Sequence, residues 1–188
     1  MLSEKESVTI SKFLSLVLRH RPEAIGILLD ENGWTDVAAF IEKVNGAGFT
    51  ITPAILKHIV DTNPKKRFAF NSSLTKIRAS QGHSVTVALG YEPQLPPDVL
   101  YHGTAVANIE SIIASGLQKQ SRTHVHLSAE TATAITVGKR HGKPFVFEVL
   151  AGQMHNDGFL FFLSENGIWL TNHVPPNYLK PNNEQVTP

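Results

Sequence analysis

Apolar residues recur at helical spacing at Ile10, Phe13, Leu14, Val17 and Leu18, which predicts an amphipathic helix with one buried face. Ser7 or Thr9 can cap its start, and Pro22 stops it, because the residue before a proline avoids the α region. Arg19, His20 and Arg21 then fall in the last turn. Cations complement the partial negative charge of a helix end, so placement alone accounts for them as well as chemistry does. A second helix is predicted from Asp36 to Val44, with Val37, Phe40, Ile41 and Val44 as its stripe, Thr35 as a cap, and Gly46 and Gly48 at its end. A third begins at Thr52, with Pro53 in the favoured first position and Ile55, Leu56, Ile59 and Val60 inward. Asn63-Pro64 breaks it. RFAFN and LTKIRA flank Asn71-Ser72-Ser73 and predict a β-hairpin.

Three short helices followed by a hairpin resemble a winged helix-turn-helix, a unit that contacts nucleic acid in some proteins and is plain scaffold in others. Lys65, Lys66, Arg67, Lys76 and Arg78 cluster on and around the hairpin, either as a solvated basic face or as a contact surface. Gln81-Gly82-His83-Ser84 follows, a polar turn that places His83 toward a cleft. The stretch GYEPQLPPD, Gly90 to Asp98, is proline-rich and predicts a stiff connector. This divides the chain into residues 1–90, a linker over 91–98, and residues 99–188.

In the second half, Val99-Leu100-Tyr101 predicts a short strand leading into His102-Gly103-Thr104, where Gly103 permits close backbone approach to a ligand. Ile109, Ile112 and Ile113, with Val106, give a helical stripe ending at Gly116. His124 to Leu127 predicts a strand with both histidines on one face. Ser128 is expected to cap a helix over Ala129 to Val137. PFVFEVL is a further strand. FLFFL and IWLT flank Ser164-Glu165-Asn166-Gly167, a hairpin signal in which Glu165 is a turn residue. The tail from Pro175 is expected to pack loosely. The whole is α+β.

Charge changes the picture little: the formal net charge is +1, so a nucleic-acid partner would be held by local cations rather than a broad field. The absence of cysteine excludes disulfides, thiolate metal sites and cysteine nucleophiles. The start, MLSEKESVTI, has no apolar core of a signal peptide, and no apolar run approaches the roughly 20 residues of a membrane helix. The expectation is a cytoplasmic protein with no membrane partner.

Histidines His102, His124 and His126 invite a zinc site, but no further ligand stands at motif spacing, and hydrogen-bonding histidines are the simpler reading. Arg19, Arg67 and Arg122 stand at a helix end, a strand start and a strand approach. Guanidinium forks suit phosphate oxygens. If these three converge with His20, they make a site for a phosphate monoester.

The ordered set SKFLSLVLRHRP, KKRF, IRASQGHS, LYHGT, SRTHVHLS and NGIWLT resembles the RNA 2′-phosphotransferase family, the Tpt1/KptA type, over nearly the whole chain. The resemblance implies an N-terminal winged-helix lobe that binds RNA and phosphate, and a C-terminal ADP-ribosyltransferase-like lobe that binds NAD. It implies a catalytic set of Arg19, His20, Arg67 and Arg122, with Arg78 a lesser candidate. His102, Gly103, Thr104, Ser111, Gly116, Leu117, His126 and Ser128 are the implied NAD-binding residues, with His124 as the alternative to His126. The implied activity is removal of an internal 2′-phosphate from tRNA-like RNA, with NAD consumed and no metal. It passes through an ADP-ribosylated RNA phosphate and gives 2′-OH RNA, ADP-ribose 1″,2″-cyclic phosphate and nicotinamide. A monomer is expected. The alternatives are an ADP-ribosyltransferase acting on terminal phosphates of nucleic acid, a winged-helix regulator that senses a nucleotide, and a metal hydrolase built on the histidines.

Overall fold

The computed structural model describes residues 3–182, the side chain of His141 excepted. Helices and antiparallel strands mix throughout, an α+β arrangement. The chain divides into two compact units between Gly90 and Tyr91.

In the first unit, α1 (Glu4–Arg19) starts earlier than the apolar stripe. Ser3 Oγ accepts from the Glu6 amide at 3.2 Å, and Glu6 Oε2 accepts from the Ser3 amide at 2.8 Å. This capping box satisfies two amides that a helix start leaves open, so Ser7 and Thr9 lie inside the helix. Thr35 is likewise not a cap. It belongs to β1 (Thr35–Asp36), and Asp36 caps α2 (Val37–Gly46) through the Ala39 amide. Thr52 caps α3 (Pro53–Asp61) as its spacing indicates. β2 (Phe68–Phe70) and β3 (Lys76–Ala79) form the hairpin, with Phe68 opposite Ala79 and Phe70 opposite Ile77. Asn71 Oδ1 accepts from the Thr75 and Lys76 amides and shapes the turn. β1 pairs with the other edge of β3, giving the order β1-β3-β2. Leu14, Val17, Leu18, Phe40, Val44, Leu56 and Ile77 are fully buried between the helices and this sheet.

In the second unit, β4 (Leu100–Ala105) runs through the His-Gly-Thr triplet rather than ending before it. A 3-10 turn leads to α4 (Ile109–Ser115), which ends at Gly116, and β5 (Leu117–Gln118) follows. β6 (Val125–Leu127) buries Val125 and Leu127. α5 (Thr131–Gly138) begins two residues later than expected and has no side-chain cap. Ser128 is engaged elsewhere: its amide donates to the Tyr101 carbonyl, and the Tyr101 amide donates to the Ser128 carbonyl, both at 2.8 Å. The remaining elements are β7 (Pro144–Val149), α6 (Ala151–Asn156), β8 (Phe161–Leu163), β9 (Trp169–Thr171), β10 (His173–Val174) and β11 (Leu179–Pro181). Sheets run β11-β7-β4 and β6-β9-β8, with β5 paired to β10. The tail does not pack loosely up to Asn182. Tyr178 is buried, its hydroxyl donates to Asp157 at 2.7 Å, and β11 closes one edge of β7. Residues 183–188 lie outside the described part. The proline-rich stretch contributes to this unit as well, since the Gln94 amide donates to the Phe161 carbonyl.

Helix α5 lies directly on the backbone of β4. A Cβ on Gly103 would stand 1.7 Å from the Ala134 carbonyl oxygen, and one on Gly138 would stand 2.6 Å from that of Thr104. The close approach that Gly103 permits is therefore taken by the protein's own helix. Gly103→Ala is expected to destabilise the protein by about 3 kcal/mol or to prevent folding, since backbone blocks the added methyl. Urea unfolding of the variant checks this; wild-type stability would contradict the packing.

Candidate active site

Arg19 and His20 sit at the end of α1 because the helix stops there. The carbonyl of Arg19 accepts from the Ser84 amide at 2.9 Å, which satisfies one of the acceptors a helix end leaves open. His20 is the C-cap residue, and its Nδ1 is 2.9 Å from Ser84 Oγ. Arg19 reaches across to the hairpin: its Nη2 donates to the Arg67 carbonyl at 3.3 Å. The same carbonyl accepts from the Ser80 amide, so Arg67 is fixed at the start of β2 from two sides. Arg67 Nη1 lies at 3.4 Å from Oδ1 of Asn63, whose Nδ2 donates to Ser11 Oγ. The residue before Arg67, Lys66, has φ of 40°, a left-handed conformation, and its carbonyl accepts from Ser80 Oγ. Arg19, His20 and Arg67 are thus brought together on one part of the first unit.

Arg78 has a different task. It is 8% exposed, its guanidinium lies 4.4 Å over the Trp34 ring, and Nη1 donates to the Leu89 carbonyl at 3.1 Å. It pins the chain after the hairpin. Lys76 pairs with Asp30 at 3.0 Å. His83 faces inward, not toward a cleft. It is fully buried, with no hydrogen-bond partner at either ring nitrogen, and Nε2 lies against Gly33. Burial, aided by the charges of Arg19, His20 and Arg78, lowers its pKa from 6.5 to about 4.

In the second unit, Arg122 Nη1 is 2.8 Å from His126 Nδ1. A guanidinium only donates, so His126 Nδ1 accepts and the ring is neutral with its proton on Nε2. His102 Nδ1 is 3.1 Å from the His126 carbonyl oxygen, which only accepts, so His102 carries its proton on Nδ1. Burial first, and the Arg122 charge after it, lower the His102 pKa against the raising effect of that hydrogen bond. His126 thus meets Arg122 through its ring and His102 through its backbone carbonyl. His124 stands apart from these, edge-on to Phe162 and bonded to Thr123. Burial, followed by the charge of Lys119, lowers its pKa. Among the described residues, no group of three or more His, Asp or Glu stands close enough to hold a metal ion.

The other sequence candidates divide by role. Thr104 is buried and its Oγ1 accepts from Asn108. Ser111 is exposed on α4. Gly116, at φ of 73°, packs against the Val174 carbonyl, and Leu117 belongs to the core. Glu165 lies in the β8–β9 turn, exposed. Sequence reasoning passed over Asn63, Ser84 and Asn108. Ser84 did stand in a noted turn, but nothing in Gln-Gly-His-Ser says which side chain is swallowed and which is presented.

Residues 5–173 match the family described as RNA 2′-phosphotransferase, Tpt1 / KptA family. The chain belongs to this family. A probable RNA 2′-phosphotransferase of Flavobacterium johnsoniae is 52% identical over 95% of the chain and 98% of that protein. One from Nostoc punctiforme is 51% identical over 95% of the chain and 99% of that protein. One from Agrobacterium fabrum is 51% identical over 92% of the chain and 93% of that protein. The family match includes every residue discussed above from Arg19 to Ser128, so this RNA 2′-phosphotransferase family member carries both clusters within the shared region. Among the described residues, no helix is long and apolar enough to cross a membrane.

The buried His83 gives a pH test. Its folded pKa lies below its unfolded value, so the unfolded chain binds more protons between about pH 4 and 6.5. Stability is complete above that window and falls as pH drops through it, by about 3 kcal/mol. His83→Gln is expected to remove this acid slope, as measured by urea unfolding at pH 7 and pH 4. Equal slopes for the two proteins would contradict it.

Proposed function

We propose that this protein removes an internal 2′-phosphate from tRNA-like RNA, with NAD as the second substrate and without a metal ion. In this reading the first unit is a winged-helix lobe that binds RNA, supported by its three helices and β1-β3-β2 sheet. The second is an ADP-ribosyltransferase-like lobe that binds NAD. One observation carries the reading: Arg122 meets the His126 ring, and the His126 carbonyl meets the His102 ring, which sets a cation suited to phosphate beside two hydrogen-bonding rings. His126 offers an Nε2–H donor and His102 an Nε2 acceptor. Such a pair suits an amide and a ribose hydroxyl.

The chemistry follows in two steps. An oxygen of the RNA 2′-phosphate attacks C1″ of the nicotinamide ribose, the C1″–N bond breaks, and nicotinamide leaves with the electron pair as a neutral molecule. The nucleophile is already anionic and the leaving group needs no proton, so position and charge stabilisation are what the protein supplies. The 2″-hydroxyl then attacks phosphorus, the bond to the RNA 2′-oxygen breaks, and a proton moves from the 2″-hydroxyl to that oxygen. This gives 2′-OH RNA and ADP-ribose 1″,2″-cyclic phosphate. Arg19, Arg67 and Arg122 stabilise charge on the phosphoryl oxygens. His20 carries the proton, since imidazole titrates near neutrality. The protein acts as a monomer.

The test is incubation with NAD and an internally 2′-phosphorylated oligoribonucleotide in chelator, followed by product analysis. The expected products are nicotinamide, the cyclic phosphate and 2′-OH RNA; an untouched 2′-phosphate would reject the reading. Arg122→Ala is expected to cost about 100-fold in turnover. His20→Ala is expected to slow the second step more than the first, so that RNA carrying ADP-ribose on its phosphate accumulates. Unchanged turnover in either variant removes that residue from the set.

A further inference from the structure

The turn Gln81-Gly82-His83-Ser84 has one residue buried as an anchor and the next turned to His20. The His83 ring is fully buried. Gly82, just before it, has φ of 84°, in the left-handed region that glycine takes freely. Ser84 then makes two contacts with the end of α1. Its amide donates to the Arg19 carbonyl at 2.9 Å, and its Oγ lies 2.9 Å from His20 Nδ1. The amide contact is a helix cap and any residue but proline can make it. The hydroxyl contact is specific to the side chain.

We propose that Ser84 is a positioning residue for His20, holding the imidazole by Nδ1 through both halves of a proton transfer at Nε2. This rests on the role of His20 proposed above. The reason is the kind of partner. A carbonyl, as at His102, forces the proton onto Nδ1; a guanidinium, as at His126, forces it off. Each freezes one tautomer. A serine hydroxyl donates or accepts by rotating about one bond. With one proton on Nδ1, the neutral ring takes a second at Nε2 from the 2″-hydroxyl, becomes imidazolium, and returns to the same neutral form when Nε2 delivers a proton to the 2′-oxygen. Nδ1–H donates to Ser84 Oγ in both states, so the hydroxyl oxygen holds the ring's orientation while Nε2 exchanges its proton.

Ser84→Ala isolates the side chain, because its amide still caps α1; Ser84→Thr restores the hydroxyl. Two measurements decide. In long-range 1H–15N spectra of the protein alone, the His20 Nδ1 resonance is expected to move in Ser84→Ala and to return toward wild type in Ser84→Thr. In single-turnover reactions with NAD and 2′-phosphorylated RNA, the second step is expected to slow roughly tenfold or more in Ser84→Ala. The first step and KM for NAD should hold, ADP-ribosylated RNA should accumulate, and Ser84→Thr should recover the rate. An unmoved His20 resonance overturns the proposal, as does an equal loss in both steps or a failure of threonine to rescue. If the wild-type protein turns over no NAD, the function proposed above falls, and the spectra alone decide whether Ser84 holds His20.

Discussion

An α-helix leaves its last carbonyls without internal partners, and in this protein one of them organises the candidate site of the first unit. The carbonyl is that of Arg19, and its donor is the Ser84 amide, more than sixty residues on. That bond ties the end of α1 to the loop beyond the hairpin. The hairpin itself is tied back by the Arg19 side chain, which donates to the Arg67 carbonyl. Two cations and a histidine therefore share a frame made of backbone. Their own side-chain torsions are long and flexible, and ordering each by itself would cost rotamer entropy. The Arg67 carbonyl holds Arg19, Asn63 holds Arg67 and Ser84 holds His20, so part of that cost is met within the fold.

The second unit solves the same problem with a strand and a helix in contact. Gly103 and Gly138 let α5 lie on the backbone of β4, which sets His102 at a fixed height on the strand. The Tyr101–Ser128 amide pair then aligns β6 beside it, and this brings His126 and Arg122 to His102. Residues assigned to NAD by motif thus include several that serve the frame: Gly103, Gly116 and Leu117 fix backbone and core, while His102 and His126 present ring nitrogens.

The partners of the histidines differ in what they allow. His102 and His126 are each committed to one tautomer by a partner that can only accept or only donate. His83 is committed to neutrality by burial. His20 meets a hydroxyl, which can do either. Sequence distinguishes none of these, since all four are written with one letter.

Much of the fold was legible in residue order. The apolar stripes of α1 to α3, the Thr52-Pro53 start, the two hairpins and the strand alternation at Val125 and Leu127 follow from local periodicity and turn chemistry, which act over a few residues. The six ordered motifs identified the family. What the order of residues left open was decided by partners distant in the chain. Ser3 capped α1 because Glu6 reached back, and Thr35 joined β1 because β3 lay beside it. Arg78 was withdrawn to Trp34 and Leu89, and the tail was held by β7 and Asp157. His83 went inside and Ser84 stayed out for the same reason. Which face of a turn is buried depends on what packs against it, and only the tertiary structure supplies that.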